Sequence, residues 1–282
     1  MFFNRFLSFS LLFFVLLGCT SSELSGHKKL VIGVVSYGKG SNVAERYAPL
    51  KTHLESQLKS IIEIEPAYNE VQAIQQIERK AWDIVFAPPG LAAIAISEDQ
   101  YLPLLPQTGG ETERSVIVVR QDSPIAKLND LANQMIALGQ AGSATGYYLP
   151  IYNLYGLTLA GTRLSPTPRT TLEWINKKEV MAGALSITEL NQYRGDFSPT
   201  QFRILSRDTH QITSGSVLVG STVDRNAQEQ IRQALETAPA PVAAAAEYVT
   251  NAKPPDYGYL IKVVKRVRPI AKRIKEKPAP LY

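Results

Sequence analysis

Continuous apolar runs alternate along this chain with stretches in which apolar residues recur every three or four positions. "LVIGVVS", residues 30–36, is unbroken and rich in β-branched side chains, which predicts a strand buried on both faces. Residues 43–58 set Val43, Tyr47, Leu50, Leu54 and Leu58 on one face of a helix. "IIEIEPAY" reads as a second strand. "NEVQAIQQIERKA" reads as a second helix, with Val71, Ile74 and Ile77 in register and Asn69 as its N-cap. "WDIVFAP" is a third strand and "GLAAIAIS" a short apolar helix. This alternation with short loops predicts an α/β unit built on a parallel sheet.

A turn-rich stretch follows, marked by Pro103, Pro106, Gly109 and Gly110. A second unit begins near residue 113. "RSVIVVRQDS" is a strong strand, "PIAKLNDLAN" a short helix, and "QMIALG" a strand that runs into "GQAGSATGYYLP". Helices are expected over "ATGYYLPIYNLYG" and "TTLEWINKK", and a strand over "EVMAGALS". "FRILSRD" and "SGSVLVGS" are late strands, followed by the helix "VDRNAQEQIRQALETA" capped by Asp224. "APAPVAAAAE" is a spacer or a further short helix. No solenoid-type repeat is present. Ligands of such sheets bind where strands end and helices begin. Three of these edges stand out: Ser36–Tyr37, Pro88–Pro89–Gly90 and Gly142–Thr145.

The first residues change the picture of the whole chain. Met1–Arg5 ends on a positive charge, and the twelve residues Phe6–Leu17 are almost entirely apolar. That run is too short for a bilayer core of about 30 Å, and with "LLGC" behind it the pattern is that of a secretory signal. "LLGC" also resembles the bacterial lipobox, which makes Cys19 the expected lipidation site. Cys19 is the sole cysteine, so it has no disulfide partner within the chain. Residues 1–18 are then a signal peptide and 19–28 a polar tether. The mature protein is expected on the periplasmic side of a bacterial membrane, held there through lipid.

Charge is unevenly distributed. The net charge is +5, yet Lys262–Lys277 holds eight Lys or Arg against one Glu, a local +7. The rest of the chain is slightly acidic, which argues against a nucleic-acid-binding surface. "IKVVKRVRPIAKRIKEK" spaces Val263, Val264, Val267, Ile270, Ala271 and Ile274 as one helix face, with Pro269 expected to kink or break it. Its basic face suits either plain solvation or contact with anionic lipid or an acidic partner.

Catalytic chemistry is not evident. The histidines are His27, His53 and His210, and no pair has metal-ligand spacing. There is no Gly-x-Ser-x-Gly elbow, no nucleotide P-loop spacing in "SYGKGSN", and no dinucleotide pattern in Gly139, Gly142 and Gly146. No enzyme activity, metal or cofactor is expected. What survives is Ser143, Ala144, Thr145 and Gly146 at a helix start. Free N–H groups there favour an anion, while Ser143 or Thr145 equally suits an ordinary cap.

Four stretches in order resemble bacterial periplasmic solute-binding proteins of the phosphonate, phosphite and phosphate uptake type. They are "LVIGVVS…ERYAPLKTHLESQL", "WDIVFAPPGLAA", "GGETERSVIVVRQDSPIAKLNDL" and "GSATGYYLP", over residues 29–240 or so. The resemblance implies a type II fold, two α/β lobes joined by two crossing strands. Residues 29–112 with 209–282 would form one lobe and 113–208 the other. It implies a monomer that closes on a small anionic ligand and hands it to an ABC permease. The resemblance makes Ser143, Ala144, Thr145 and Gly146 of the second lobe the anion loop, and the strand-end positions of Ser36, Tyr37, Pro89 and Gly90 make them the first-lobe candidates. Ser186 stands across from them.

Two departures qualify the ligand. Ala144 replaces a threonine of the family loop, and "VMAGALS" ends on Ser186 where relatives end on an aspartate that receives an amino group. That argues against an aminoalkylphosphonate and for a plain oxyanion. Arg169, in the "PRT" that aligns with a His-Asp pair of relatives, is a candidate cation. The alternative is a sensor or accessory lipoprotein on the same fold, with its ligand changed or lost.

Overall fold

The computed structural model describes residues 29–36, 43–109, 113–198 and 201–282. Tyr37 and Cys19 lie outside the described residues. The first unit runs β1 (Lys29–Val35), α1 (Val43–Leu58), β2 (Ile61–Ala67), α2 (Glu70–Glu78), β3 (Ile84–Ala87), α3 (Pro89–Glu98) and β4 (Leu102–Pro106). The second runs β5 (Ser115–Arg120), β6 (Met135–Leu138), α4 (Leu149–Asn153), β7 (Thr158–Leu159), β8 (Gly161–Leu164), α5 (Pro168–Asn176), β9 (Ala182–Ser186), α6 (Ile187–Tyr193) and β10 (Phe202–Arg207). The chain then adds β11 (Ser216–Val219), α7 (Arg225–Glu236), α8 (Ala240–Ala245), α9 (Gly258–Arg273) and β12 (Ala279–Pro280).

Two five-stranded sheets result, ordered β2-β1-β3-β11-β4 and β10-β5-β9-β6-β8. The apolar runs that predicted buried strands occupy the sheet centres: Ile32, Ile84 and Val85 have no exposed surface. Neither sheet is purely parallel. β11 runs antiparallel to β3 and β4, and β5 antiparallel to β9 and β10. The mixed pattern follows from the chain path, because strands that carry the chain between units arrive in the opposite sense. The "turn-rich" prolines 103 and 106 belong to β4, an edge strand, where a missing N–H can face away from the ladder. Asn69 and Asp224 cap α2 and α7 as expected, each accepting a 2.9 Å bond from the backbone three residues on.

The crossing segments lie side by side. Gln107 donates its N–H to Gly215 O at 2.9 Å, Ile212 to Glu113 O at 3.0 Å, and Asp208 to Ser115 O at 2.9 Å. One apolar core continues from Trp82 and Leu91 of the first unit through Tyr147 and Leu149 of the second to Val264 and Val267 of α9. Helix α9 contacts α3 on one side and α4 on the other. The chain after it pairs β12 with β7, and Leu281 exchanges backbone bonds of 2.9 Å with Gly156 and Leu157. Pro269 does not break α9, which is continuous to Arg273. The ring sits on the exposed face while Val267 and Ile270 on either side are buried and hold the axis.

Candidate functional site

The turn after β6 is built from local hydrogen bonds. Gly142 adopts φ +115°, a backbone that side chains rarely tolerate. Ser143 then accepts the Gly146 N–H on its Oγ at 3.0 Å, and Gly139 donates to Gly146 O at 2.7 Å. Ala144–Tyr148 forms a π-helical turn rather than the α-helix expected there, with Tyr148 N–H reaching back to Ser143 O at 3.1 Å. Ser115 Oγ donates to Thr145 O at 2.6 Å, which ties the turn to β5. Ala144 and Thr145 are 5% and 8% exposed. Single π turns recur at functional sites.

The first unit presses directly on this turn. A Cβ placed on Gly90, at the start of α3, would stand 2.1 Å from Gly142 O and 2.6 Å from Ala144 N. Only glycine permits that approach. Glu70 and Ile74 of α2 cover Gly142 in the same way, since a Cβ there would meet Glu70 Cβ at 2.5 Å.

Beside the contact lies a narrow cavity. Its walls include Ser143 and Gly146 from the turn, Gln140 before it, Ser165, Thr167 and Thr171 around the start of α5, and Glu70 and Glu189. The hydroxyls form a connected wall: Ser165 Oγ lies 2.5 Å from Thr171 Oγ1, and Gln140 Nε2 donates to Ser165 O at 2.8 Å. Among the described residues neither Lys nor Arg lines this cavity. Burial pushes the Glu189 carboxyl up to about 7, against the bond it accepts from Ser186 N–H, and the Glu70 and Glu113 carboxylates raise it further.

The predicted residues separate into three groups. Ser143 and Gly146 line the cavity, and Ala144 and Thr145 are buried in the same turn. Ser36 and Pro89 line a second, wider opening together with Arg46, Gln192 and Tyr193, so this cleft is walled by both units. Gly90 is one of the contacts between the units. Ser186 is neither free nor facing the cavity: its Oγ accepts the Glu189 N–H at 3.0 Å while its own N–H donates to Glu189 Oε2 at 2.7 Å. That reciprocal pair is a capping box for α6. Arg169 is engaged on the surface, 2.7 Å from Asp196 and also paired with Glu173, and does not reach the cavity.

Glu70 and Glu189 were not singled out from the sequence. The Ser186-x-x-Glu189 spacing was the available signal for Glu189, since a capping box fixes that carboxylate at a strand end. Glu70 follows the N-cap Asn69 and looked like an ordinary first-turn acid. Among the described residues no cluster of His, Cys, Asp or Glu could hold a metal ion, and no helix is long and apolar enough to cross a membrane.

Residues 32–246 match the family described as the periplasmic substrate-binding protein of phosphonate ABC transporters. Among solved structures, a Xanthomonas citri protein solved bound to ATP superposes with TM-score 0.72 at 23% identity, covering 86% of this chain and 98% of that one. A phosphonate-transporter binding protein from Pseudomonas aeruginosa gives 0.66 at 14% identity, covering 87% and 88%. A Prochlorococcus marinus protein in complex with methylphosphonate gives 0.66 at 16%, covering 86% and 98%. No match is found among curated proteins. With the family pattern spanning most of its length over a two-lobed α/β fold, the chain belongs to the phosphonate-type periplasmic substrate-binding proteins of ABC transporters.

Proposed function

We propose that this protein captures a small oxyanion of the phosphate, phosphite or phosphonate type between its lobes and delivers it to an ABC permease. The observation that carries the reading is the position of the Ser143–Gly146 turn, at the contact of the two units and beside a cavity walled by hydroxyls and one amide. Ser143, Gln140 and Thr167 are the groups assigned to the anion, with the Gly90 turn packed against them from the first lobe and Ser36 and Pro89 lining the wider opening alongside. The proposed division is 29–112 with 209–282 against 113–208, except that the chain end at β12 pairs back onto β7 of the second lobe. A monomer leashed by lipid on Cys19 completes the proposal, because a leash keeps the carrier near its permease.

Two carboxylates beside the anion set its form. A doubly ionised ligand would face the Glu70 and Glu189 carboxylates with charge of the same sign. A singly protonated oxyanion instead shares its proton with Glu189, or accepts one from it. The solute is therefore taken as the monoanion. No bond-making step is assigned.

The cavity's narrowness and its two carboxylates favour one second reading, an accessory or sensor protein whose solute has been changed or lost. Native mass spectrometry separates them. The full chain, incubated in turn with phosphate, phosphite and methylphosphonate near pH 6, should carry a one-to-one adduct with at least one. A spectrum free of adduct with all three abandons the oxyanion and leaves the second reading.

A further inference from the structure

Helix α9 has a face that the fold does not use. Leu260, Val263, Val264, Val267 and Ile270 are buried and recur every three or four residues. The opposite side presents Lys262, Lys265, Arg266, Lys272 and Arg273, all exposed, and Lys275 and Lys277 continue the stripe beyond the helix. Arg268 on the flank pairs with Glu98 at 2.7 Å, and Arg273 with Glu276 at 3.4 Å. Lys265 acts on the field at Glu98. Among the described residues Lys262, Lys272, Lys275 and Lys277 make no ion pair. Aromatic rings border the stripe. Arg266 lies 5.0 Å over Tyr155, which is 49% exposed, and Arg273 lies 5.9 Å from Tyr282, which is 55% exposed.

We propose that this stripe is a docking surface for anionic phospholipid headgroups. The face is the outer side of a 16-residue helix, about 24 Å long at the usual rise. It carries mostly lysines, compact charges that suit mobile headgroups better than the planar forks that clamp a protein carboxylate. Two of its arginines are already paired with Glu98 and Glu276. Exposed tyrosines beside lysines suit the headgroup layer, with ring inward and hydroxyl in water. The apolar face of α9 is committed to the core, so the contact is peripheral and electrostatic. Because α9 packs against helices of both units, a docked face would hold the molecule in a fixed orientation over the bilayer. The proposal is independent of the solute in the cleft.

The test is lysine acylation of the full chain, read residue by residue by mass spectrometry. Vesicles of phosphatidylcholine with one quarter phosphatidylglycerol are compared with phosphatidylcholine alone. Any attachment through the apolar N-terminal stretch is common to both lipids and cancels. Labelling of Lys262, Lys272, Lys275 and Lys277 should fall severalfold only on the anionic vesicles. Salt well above about 0.1 M should restore it, as screening shortens to a few ångströms. The triple variant Lys262→Glu, Lys272→Glu, Lys275→Glu changes exposed positions only and should keep its melting temperature. It should partition to the anionic vesicles roughly tenfold less or weaker. Equal labelling on the two lipids overturns the proposal, as does protection produced by polyglutamate but not by the anionic vesicles.

Discussion

Gly90 and Gly142 meet with no space for a methyl group between them. Replacing Gly90 by alanine forces a Cβ to within 2.1 Å of a backbone oxygen, so the units themselves must shift. The expected cost is about 1–3 kcal/mol, the usual range for overpacking. A lower urea midpoint with an enlarged radius of gyration would show it, and an unchanged radius would refute the idea that this contact sets lobe closure. Ser143 is a milder case. Its Oγ satisfies the Gly146 N–H, so Ser143→Ala should cost about 1 kcal/mol in the same assay.

Glu189 carries the pH dependence. Its carboxyl is raised from 4.5 to about 7 by burial. A raised carboxyl contributes stability that is fully present below its unfolded value and is lost as pH climbs through the folded one. The protein should therefore lose stability between about pH 4.5 and 7 relative to Glu189→Gln. Parallel melting curves for the two proteins across that interval would contradict the assignment. The Glu189 position also explains a limit of the sequence. Ser186 stood out because an aspartate was expected there, but its hydroxyl is used by α6 and the charge stands three residues later.

At the scale of elements, periodicity was informative wherever a strand or helix is buried on a long face. β1 and β3 were legible because Ile32 and Ile84 are packed from all sides; α2 was legible as a helix, but its buried face is Glu70, Ala73 and Ile77, and Val71 of the expected face is exposed. The Asn69 and Asp224 caps were legible because capping depends on one side chain and its own next turn. Elements made by distant partners were not. β4 hid behind its prolines because its strand character comes from pairing with β11, more than a hundred residues on. The two-residue strands β7 and β12 exist only because they pair with each other. The π turn at Ala144 was read as a plain helix start, since its wider loop is stabilised by Ser115 from β5. Pro269 suggests a kink or a break by the local rule, and the break is absent because the buried Val267 and Ile270 beside it carry the helix on to Arg273.

At the scale of the molecule, the order of strands and helices predicted two α/β units and the family resemblance implied the two-lobed fold, while the direction of the crossing strands followed from neither. The charge at the site was the largest misreading. From Ser186 the cleft was expected to lack a carboxylate, yet Glu70 from one unit and Glu189 from the other line its inner cavity. Residues this far apart in sequence come together only through the contact of the two units. Their convergence gives the proposed solute site a definite pH behaviour: binding of an oxyanion should weaken as Glu189 ionises.

Calorimetric titration of methylphosphonate into the full chain at pH 6 and pH 8 tests that claim most directly. Saturable one-to-one binding is expected at pH 6, weakening at pH 8, with a smaller loss in Glu189→Gln because only the ligand then ionises. No heat at millimolar methylphosphonate, or tighter binding at pH 8 than at pH 6, would contradict an oxyanion held beside these carboxylates.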